Sequence, residues 1–420
     1  MGRLHIDQLK PGMVLGGEVR DYNGRFLLGK GDALTEKNLR VLKIWGITEA
    51  EIEGLSQESV ESEHGARFSS EIIKQALQVT RNHFCYSNKK HPFIQELFRL
   101  CSLRTARQFS ISGHNGNPDL AAEAEIPDAP ADSGRRETAH ISMQQFLSDE
   151  MKLPSLPHIF IQIQDVINNP RSSARTIADV ISKDTSLAAR LLKLVNSAFY
   201  GFPSRIDSLS RAVTIVGTKQ LTTLALGITI ISIFKNIPEN LISLEPFWKH
   251  SIACGVVARI LAKYKNISNT ERLFVGGLLH DIGRMITYAY LPEYATEALM
   301  EAARSHSLLL PVERDIMGFT HADVGASLLN RWKLPVTLES MVRTHHNPKK
   351  SPYPVDSAIV HLSDVVVNAL GTGSSGERFV PAMDAEAWEI MCLPVSILGP
   401  AINQLDYQLN DIVQYFFADD

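Results

Sequence analysis

From about residue 143 to residue 420, apolar residues return at helical spacing almost without a break. Pro170, Pro203, Pro238, Pro311 and Pro335 cut the run into pieces of helix length. No segment in this range alternates polar and apolar residues as a half-buried strand must. Helices with apolar stripes bury them only against other helices, so the expected fold class is mainly α, an all-helical domain spanning 143–420 with a C-terminal helical extension over Leu398–Phe417. Thr185 to Val195 shows the pattern: Leu187, Leu191, Leu192 and Val195 make one stripe, with Arg190 and Lys193 off it. Leu221–Phe234, LTTLALGITIISIF, is the longest apolar stretch. It falls short of the roughly 20 residues of a membrane span and carries four Thr or Ser, so a buried core helix is expected and no membrane role.

A chain of 420 residues is too long for one compact core, so two or three domains are expected. Residues 1–54 read as a small β-rich module. Two short apolar runs flank Tyr22-Asn23-Gly24-Arg25, and Asn-Gly between such runs signals a hairpin. Thr35 caps a helix over Glu36–Trp45, Gly46 stops it, and ITEAEIE supplies a last strand. Residues 55–107 read as a helical connector, with Phe68, Ile72, Ile73, Ala76 and Val79 at helical spacing and a second helix over Pro92–Leu103. Residues 108–142 turn to Gly, Pro, Ala, Asp and Ser with no aromatic beyond Phe109, the composition of a flexible linker. No internal repeat is evident.

The formal net charge of -4 excludes a nucleic-acid binder driven by bulk charge. The four scattered cysteines form no CxxC, so neither a zinc knuckle nor a disulfide framework is favoured. The start, MGRLHIDQLKPGM, lacks the apolar stretch of a secretory signal, and Ile6 misses the myristoylation pattern. A cytoplasmic protein with reduced thiols is the expectation.

Chemistry enters with seven residues in one order: His250, His280-Asp281, His321, His345-His346 and Asp364. Imidazoles and carboxylates bind borderline and hard divalent cations, and such a set could surround one or two of them. Each residue also has an ordinary reading. His280-Asp281 follows the apolar run FVGGLL, where a buried Asp needs a metal, an Arg or a hydrogen-bonded His as partner. His250 could be a core residue of an amphipathic helix, Thr320 a helix cap before His321, and Asp364 a helix-surface acid one turn after His361. Adjacent helical residues point about 100° apart, so one of His345 and His346 is expected on metal and the other on substrate or a second metal. Lys219, Arg284 and Lys349-Lys350 could hold phosphate or simply be solvated. Asn196-Ser197 is expected to end a helix and hydrogen-bond a neighbouring turn.

Longer motifs then carry a resemblance. LPSLPHIFIQI, KDTSLAARLLKLVNSAFYGFPSRIDSLSRAVTIVGTKQLTTLAL, FWKHSIACGVVARILA and FVGGLLHDIGRMI occur in this order and together resemble the HDOD domain, an all-helical relative of the HD-domain phosphohydrolases. The likeness covers roughly 145–345, with an HD-like continuation to about 370. Asp184, Asn196, Ser197 and Tyr200 stand at polar positions of the HDOD signature. LKPGMVL…DYNGRFLLGKGDALTEKNLRVLKIWGI is similar to a small module found ahead of HD-type signalling domains.

The resemblance implies a bacterial signalling or regulatory protein. It implies metal ligands at His250, His280, Asp281, His321, His345, His346 and Asp364, and one or two divalent ions, Fe or Mn foremost. In the alternative it implies, a phosphohydrolase or phosphodiesterase of a (cyclic) nucleotide, Asp281 and His345 would serve catalysis. The chain departs from the HD-GYP branch in two places: Arg284 stands where that branch has Lys, and HHNPKKSPYP lacks its Gly-Tyr-Pro loop. The implied partner is a signalling protein or a nucleotide, with a homo-oligomer possible in either case.

Overall fold

A computed structural model describes residues 2–6, 9–20, 25–44, 47, 49–53, 68–112, 143–146, 157–169, 173–202, 204–234 and 241–417. The first 53 residues form a strand-containing unit with its own small core. Strand β1 (Gly2–His5) pairs antiparallel with β4 (Glu49–Ile52), and β2 (Val19–Arg20) with β3 (Phe26–Leu28). Between β3 and β4 runs α1 (Glu36–Ile44), where Thr35 Oγ1 accepts from Asn38 N at 3.1 Å, as a helix cap should. Leu15, Leu34, Leu42 and Ile52 meet between them. The Asn23-Gly24 turn and the Gly46 stop lie outside the described residues.

Helices α2 (Ser70–His83) and α3 (Pro92–Ser112) pack side by side. The structure corrects the linker boundary: α3 runs on through 108–112, because Phe109 packs with Ala76 and Ala106. Residues 113–142, the rest of the expected linker, lie outside the described residues. The pair is seated in the same core as the later helices. Phe93 packs at 4.6 Å against Trp388 with the rings tilted by 48°, His83 Nε2 hydrogen-bonds Asn368 O at 2.8 Å, and Arg104 forks onto Asp406.

The remaining chain is helical among the described residues: α4 (Met143–Phe146), α5 (His158–Asn168), α6 (Ala174–Ile181), α7 (Thr185–Asn196), α8 (Leu209–Val216), α9 (Thr218–Ile233), α10 (Leu244–Tyr264), α11 (Thr270–Leu279), α12 (Ile282–Tyr290), α13 (Pro292–Arg304), α14 (Leu309–Met317), α15 (His321–Arg331), α16 (Val336–Thr344), α17 (Pro354–Leu370), α18 (Ala385–Met391) and α19 (Leu398–Phe417). Ser173, Asp184 and Ser208 cap α6, α7 and α8 by accepting from the third residue on. In α7 the buried stripe is Leu187, Leu191, Leu194 and Val195, while Leu192 is half-buried. Asn196 ends that helix and grips Ile206 twice, donating to its carbonyl at 2.8 Å and accepting from its N–H at 2.7 Å. Helix α9, the apolar run, is buried. No single described helix is long and apolar enough to cross a membrane.

Helices α10, α11 and α17 form the centre of the bundle. Their approach depends on a side chain that is missing: a Cβ on Gly277 would stand 2.8 Å from the backbone of Cys254 and Gly255. The glycine lets α11 lie directly on α10, which brings the end of one helix beside the side chains of the other.

Candidate metal centre

Five chain segments deliver polar groups into this apolar centre. Helix α10 carries His250 and, one turn on, Cys254. His280 and Asp281 form the joint between α11 and α12, His321 opens α15, His345 and His346 follow the end of α16, and Asp364 lies midway along α17. Thr320 and Asp323 make a capping box that fixes where α15 begins and so where His321 stands. A Cβ on Gly283 would lie 1.9 Å from the His321 carbonyl oxygen, so only glycine lets α12 and α15 come this close. His250, His280, His321 and His345 are fully buried, Asp281 and Asp364 nearly so, and His346 is half-buried.

The donors fall into two adjoining groups, each with one ligand atom per residue within 4.8 Å of the others: His250, Cys254, His280 and Asp364, and Asp281, His321, His345 and His346. Asp281 lies between the groups, with Oδ2 3.3 Å from His280 Nε2 and Oδ1 3.1 Å from His321 Nε2. Asp364 Oδ1 is 3.3 Å from His250 Nε2 and 3.4 Å from His280 Nε2.

Surrounding groups decide which nitrogen each imidazole turns inward. His280 Nδ1 donates to Gly277 O and His345 Nδ1 to Val342 O, both at 2.7 Å, while His321 Nδ1 pairs with Glu313 Oε2 at 2.6 Å. Each bond holds a proton on Nδ1 and leaves the Nε2 lone pair facing the centre, the arrangement that metal-ligating histidines use. His361 Nδ1 steadies the chain from behind by donating to His345 O at 2.7 Å, and Asn368 Nδ2 donates to Asp364 Oδ1 at 2.7 Å. His321 Nε2 is 3.3 Å from His345 Nε2 and 3.0 Å from His346 Nε2. Three lone pairs so close need protons or a cation between them. His280 Nε2 and Asp281 Oδ1 are buried and make no hydrogen bond, a costly state that a divalent ion would remove.

The electrostatics of the ion-free centre lead the same way. Burial opposes charge on His280, yet Asp281 and Asp364 lift its pKa to about 10. Burial likewise opposes charge on Asp281, which Arg284, His280 and His321 nonetheless hold well below the usual carboxylate range. Burial, reinforced by His280 and His321, pushes His345 down to about 3. Without a metal, the carboxylates are thus balanced by protonated imidazoles and by Arg284, which lies 3.4 Å from Asp281, 3.3 Å from Glu313 and 2.6 Å from Ser375 Oγ.

The sequence of residues 153–348 matches the HDOD domain family. The chain carries an HDOD domain. An HDOD domain protein of unknown function from Geobacter sulfurreducens has the same fold, with a TM-score of 0.54 at 23% identity over 64% of this chain and 94% of that one. A candidate signal-transduction protein from Marinobacter aquaeolei VT8 aligns with a TM-score of 0.52 at 21% identity, over 66% of this chain and 62% of its own. An uncharacterised protein of Treponema pallidum (strain Nichols) is 31% identical over 205 residues, 48% of this chain. The aligned part spans 39% of that relative's length. Six of the seven residues singled out in the sequence lie inside the HDOD match, and Asp364 lies beyond it.

All seven meet in this centre. One expectation is corrected: His345 and His346 do not diverge. Helix α16 ends at Thr344, His345 is its C-cap, and beyond the helix the two rings lie 4.0 Å apart and both face His321. Arg284 is buried among carboxylates, whereas Lys219 and Lys350 are exposed and Lys349 pairs with Glu386 at 2.9 Å. The sequence reading missed Glu313, Ser375, His361 and Cys254. For Cys254 a signal existed, since a spacing of four from His250 puts both on one helix face.

Proposed function

We propose that this is a bacterial HDOD-type regulatory protein whose helical domain is built around an HD-type divalent metal centre. The observation that carries the metal is the convergence of five imidazole Nε2 atoms and two carboxylates, with the buried His280 Nε2 and Asp281 Oδ1 left without hydrogen bonds. His250, His280 and Asp364 would hold one ion, and Asp281, His321, His345 and His346 a second. A bound ion would supply charge to hold five helix segments together and, at any position left open, a Lewis acid.

The regulatory role rests on closure. Six of the seven residues are buried, and Arg284, the cation nearest the centre, is committed to Asp281, Glu313 and Ser375 rather than held ready for a phosphate. The partner would be a signalling protein or a nucleotide met outside the centre, and residues 1–53 would serve as an attached input or docking element. A metal-dependent phosphohydrolase is the competing reading, favoured by the complete ligand set and by half-buried His346, through which the second group approaches solvent.

Elemental analysis of protein purified without air or chelator tests the metal. One or two equivalents of iron, manganese or zinc are expected, absent after His280→Ala with Asp281→Ala and unchanged after His158→Ala, an exposed histidine outside both ligand groups. Metal retained in the double variant would sink the assignment. Metal-dependent turnover of a cyclic dinucleotide or an aryl phosphate would replace the regulatory reading with the hydrolytic one.

A further inference from the structure

The group on the α10 side contains a thiol that the proposed function above does not use. Cys254 is fully buried, and its Sγ lies 3.6 Å from His250 Nε2. Three of the six spacings in the group match the edges of a single coordination tetrahedron, and the other three lie within 4.8 Å. Metal–nitrogen or metal–oxygen bonds of about 2.0–2.1 Å give tetrahedral edges of about 3.3–3.4 Å, and a metal–sulfur bond of about 2.3 Å lengthens an edge to sulfur to about 3.5–3.6 Å. The observed separations are 3.3 Å for His250 Nε2 to Asp364 Oδ1, 3.4 Å for His280 Nε2 to Asp364 Oδ1, and 3.6 Å for Cys254 Sγ to His250 Nε2. A second observation is independent of the thiol: His280 Nε2 is buried, faces the group and makes no hydrogen bond.

Charge agrees. Two neutral imidazoles, one carboxylate and one thiolate neutralise a divalent ion, which a water-excluded position requires. Asp281 is the rival for the fourth corner, but its Oδ2 stands 4.0 Å from His250 Nε2 while its Oδ1 lies toward His321.

We propose that Cys254 is a metal ligand, and that its thiolate closes a His250–His280–Asp364–Cys254 position for a thiophilic borderline ion such as zinc or ferrous iron. The sulfur lone pair makes the bond and the thiol proton leaves to solvent. This position is structural, and the His321–His345–His346 position is then the one that takes an outside ligand. The inference rests on the metal-centre reading, and the test separates the two.

Metal-free full-length protein is titrated anaerobically with cobalt(II) and followed by absorbance. A sulfur-to-cobalt charge-transfer band in the near ultraviolet, saturating at one equivalent, is the expected result. Cys254→Ser should lose that band, with cobalt affinity falling at least as far as the roughly 10–100-fold cost of removing a neighbour that merely supports a ligand. Where Cys254→Ser does not fold, X-ray absorption by the cobalt-loaded wild type gives the answer: one sulfur at about 2.3 Å from the ion is expected, and a shell of nitrogen and oxygen alone overturns the thiolate. Bound cobalt without the band, or a band that persists in Cys254→Ser, overturns the thiolate and leaves the metal centre standing. No bound cobalt overturns both.

Discussion

Adding one methyl group at Gly283 should dismantle the centre. A Cβ there would stand 1.9 Å from the His321 carbonyl oxygen, 2.8 Å from its carbonyl carbon and 2.7 Å from Gly325 N. Real Cβ contacts stay beyond 3.0 Å, so α12 and α15 must part by more than 1 Å. The atoms struck are backbone, which cannot rotate away. The separation stretches the 3.1 Å Asp281–His321 pair and the Arg284–His321 contact at 3.3 Å. Overpacking costs about 1–3 kcal/mol and a broken buried ion pair about 3–5 kcal/mol, so Gly283→Ala should lose at least ~3 kcal/mol.

Two other glycines calibrate the argument. A Cβ on Gly276 meets Met341 Sδ at 2.6 Å, but a thioether can turn aside, so Gly276→Ala should cost less than about 1.5 kcal/mol. Gly399 has nothing within 4 Å, and its replacement by Ala should be neutral or stabilise by up to ~1 kcal/mol. Urea unfolding followed by circular dichroism reads all three, with a midpoint drop on the order of 1 M expected for Gly283→Ala alone. Metal content should fall with it. A Gly283→Ala protein with the wild-type midpoint and full metal would refute the reasoning that this contact sets the site.

Glu313→Gln should weaken metal affinity roughly 10–100-fold, because the carboxylate that holds His321 Nδ1 at 2.6 Å would be lost; equal affinities in a chelator competition would contradict that role. The metal-free protein should be most stable near neutral pH. His280, raised to about 10, contributes stability fully present below pH 6.5 and lost as pH rises toward 10. His345, lowered to about 3, contributes stability present above pH 6.5 and lost as pH falls toward 3. Each limb has a slope of up to ~1.4 kcal/mol per pH unit, and urea midpoints across pH should show His280→Gln flattening the alkaline limb only. A metal-free profile that is level between pH 5 and 9 would contradict both assignments.

The helical architecture was legible because the 3.6-residue period is a local property, repeated in every helix that packs against the core. The seven centre residues were legible as a series because their order along the chain survives folding. What stayed hidden depends on docking. Glu313 sits in PVERD and reads as an ordinary surface acid; it is buried only because α14 leads into the turn that presents His321. Arg284 reads as a solvated or phosphate-binding cation until Ser375, 91 residues later, closes over it. His345 and His346 would diverge only on a continuing helix, and α16 ends at Thr344, before both. Composition hides the end of α3, which runs to Ser112 because Phe109 packs against the paired helix.

The seating of α2 and α3 has a consequence for how the polypeptide is made. Their partners come late: Asn368 is 285 residues beyond His83, and Asp406 is 302 beyond Arg104. At a synthesis rate of about 5–20 residues per second, the two helices wait roughly 15–60 s after leaving the ribosome before the surfaces that receive them exist. During that interval Phe93, fully buried in the finished protein, lacks its partner Trp388. This helix pair is therefore secured late, and over residues 70–112 the nascent chain is exposed to misassociation or to capture by a chaperone.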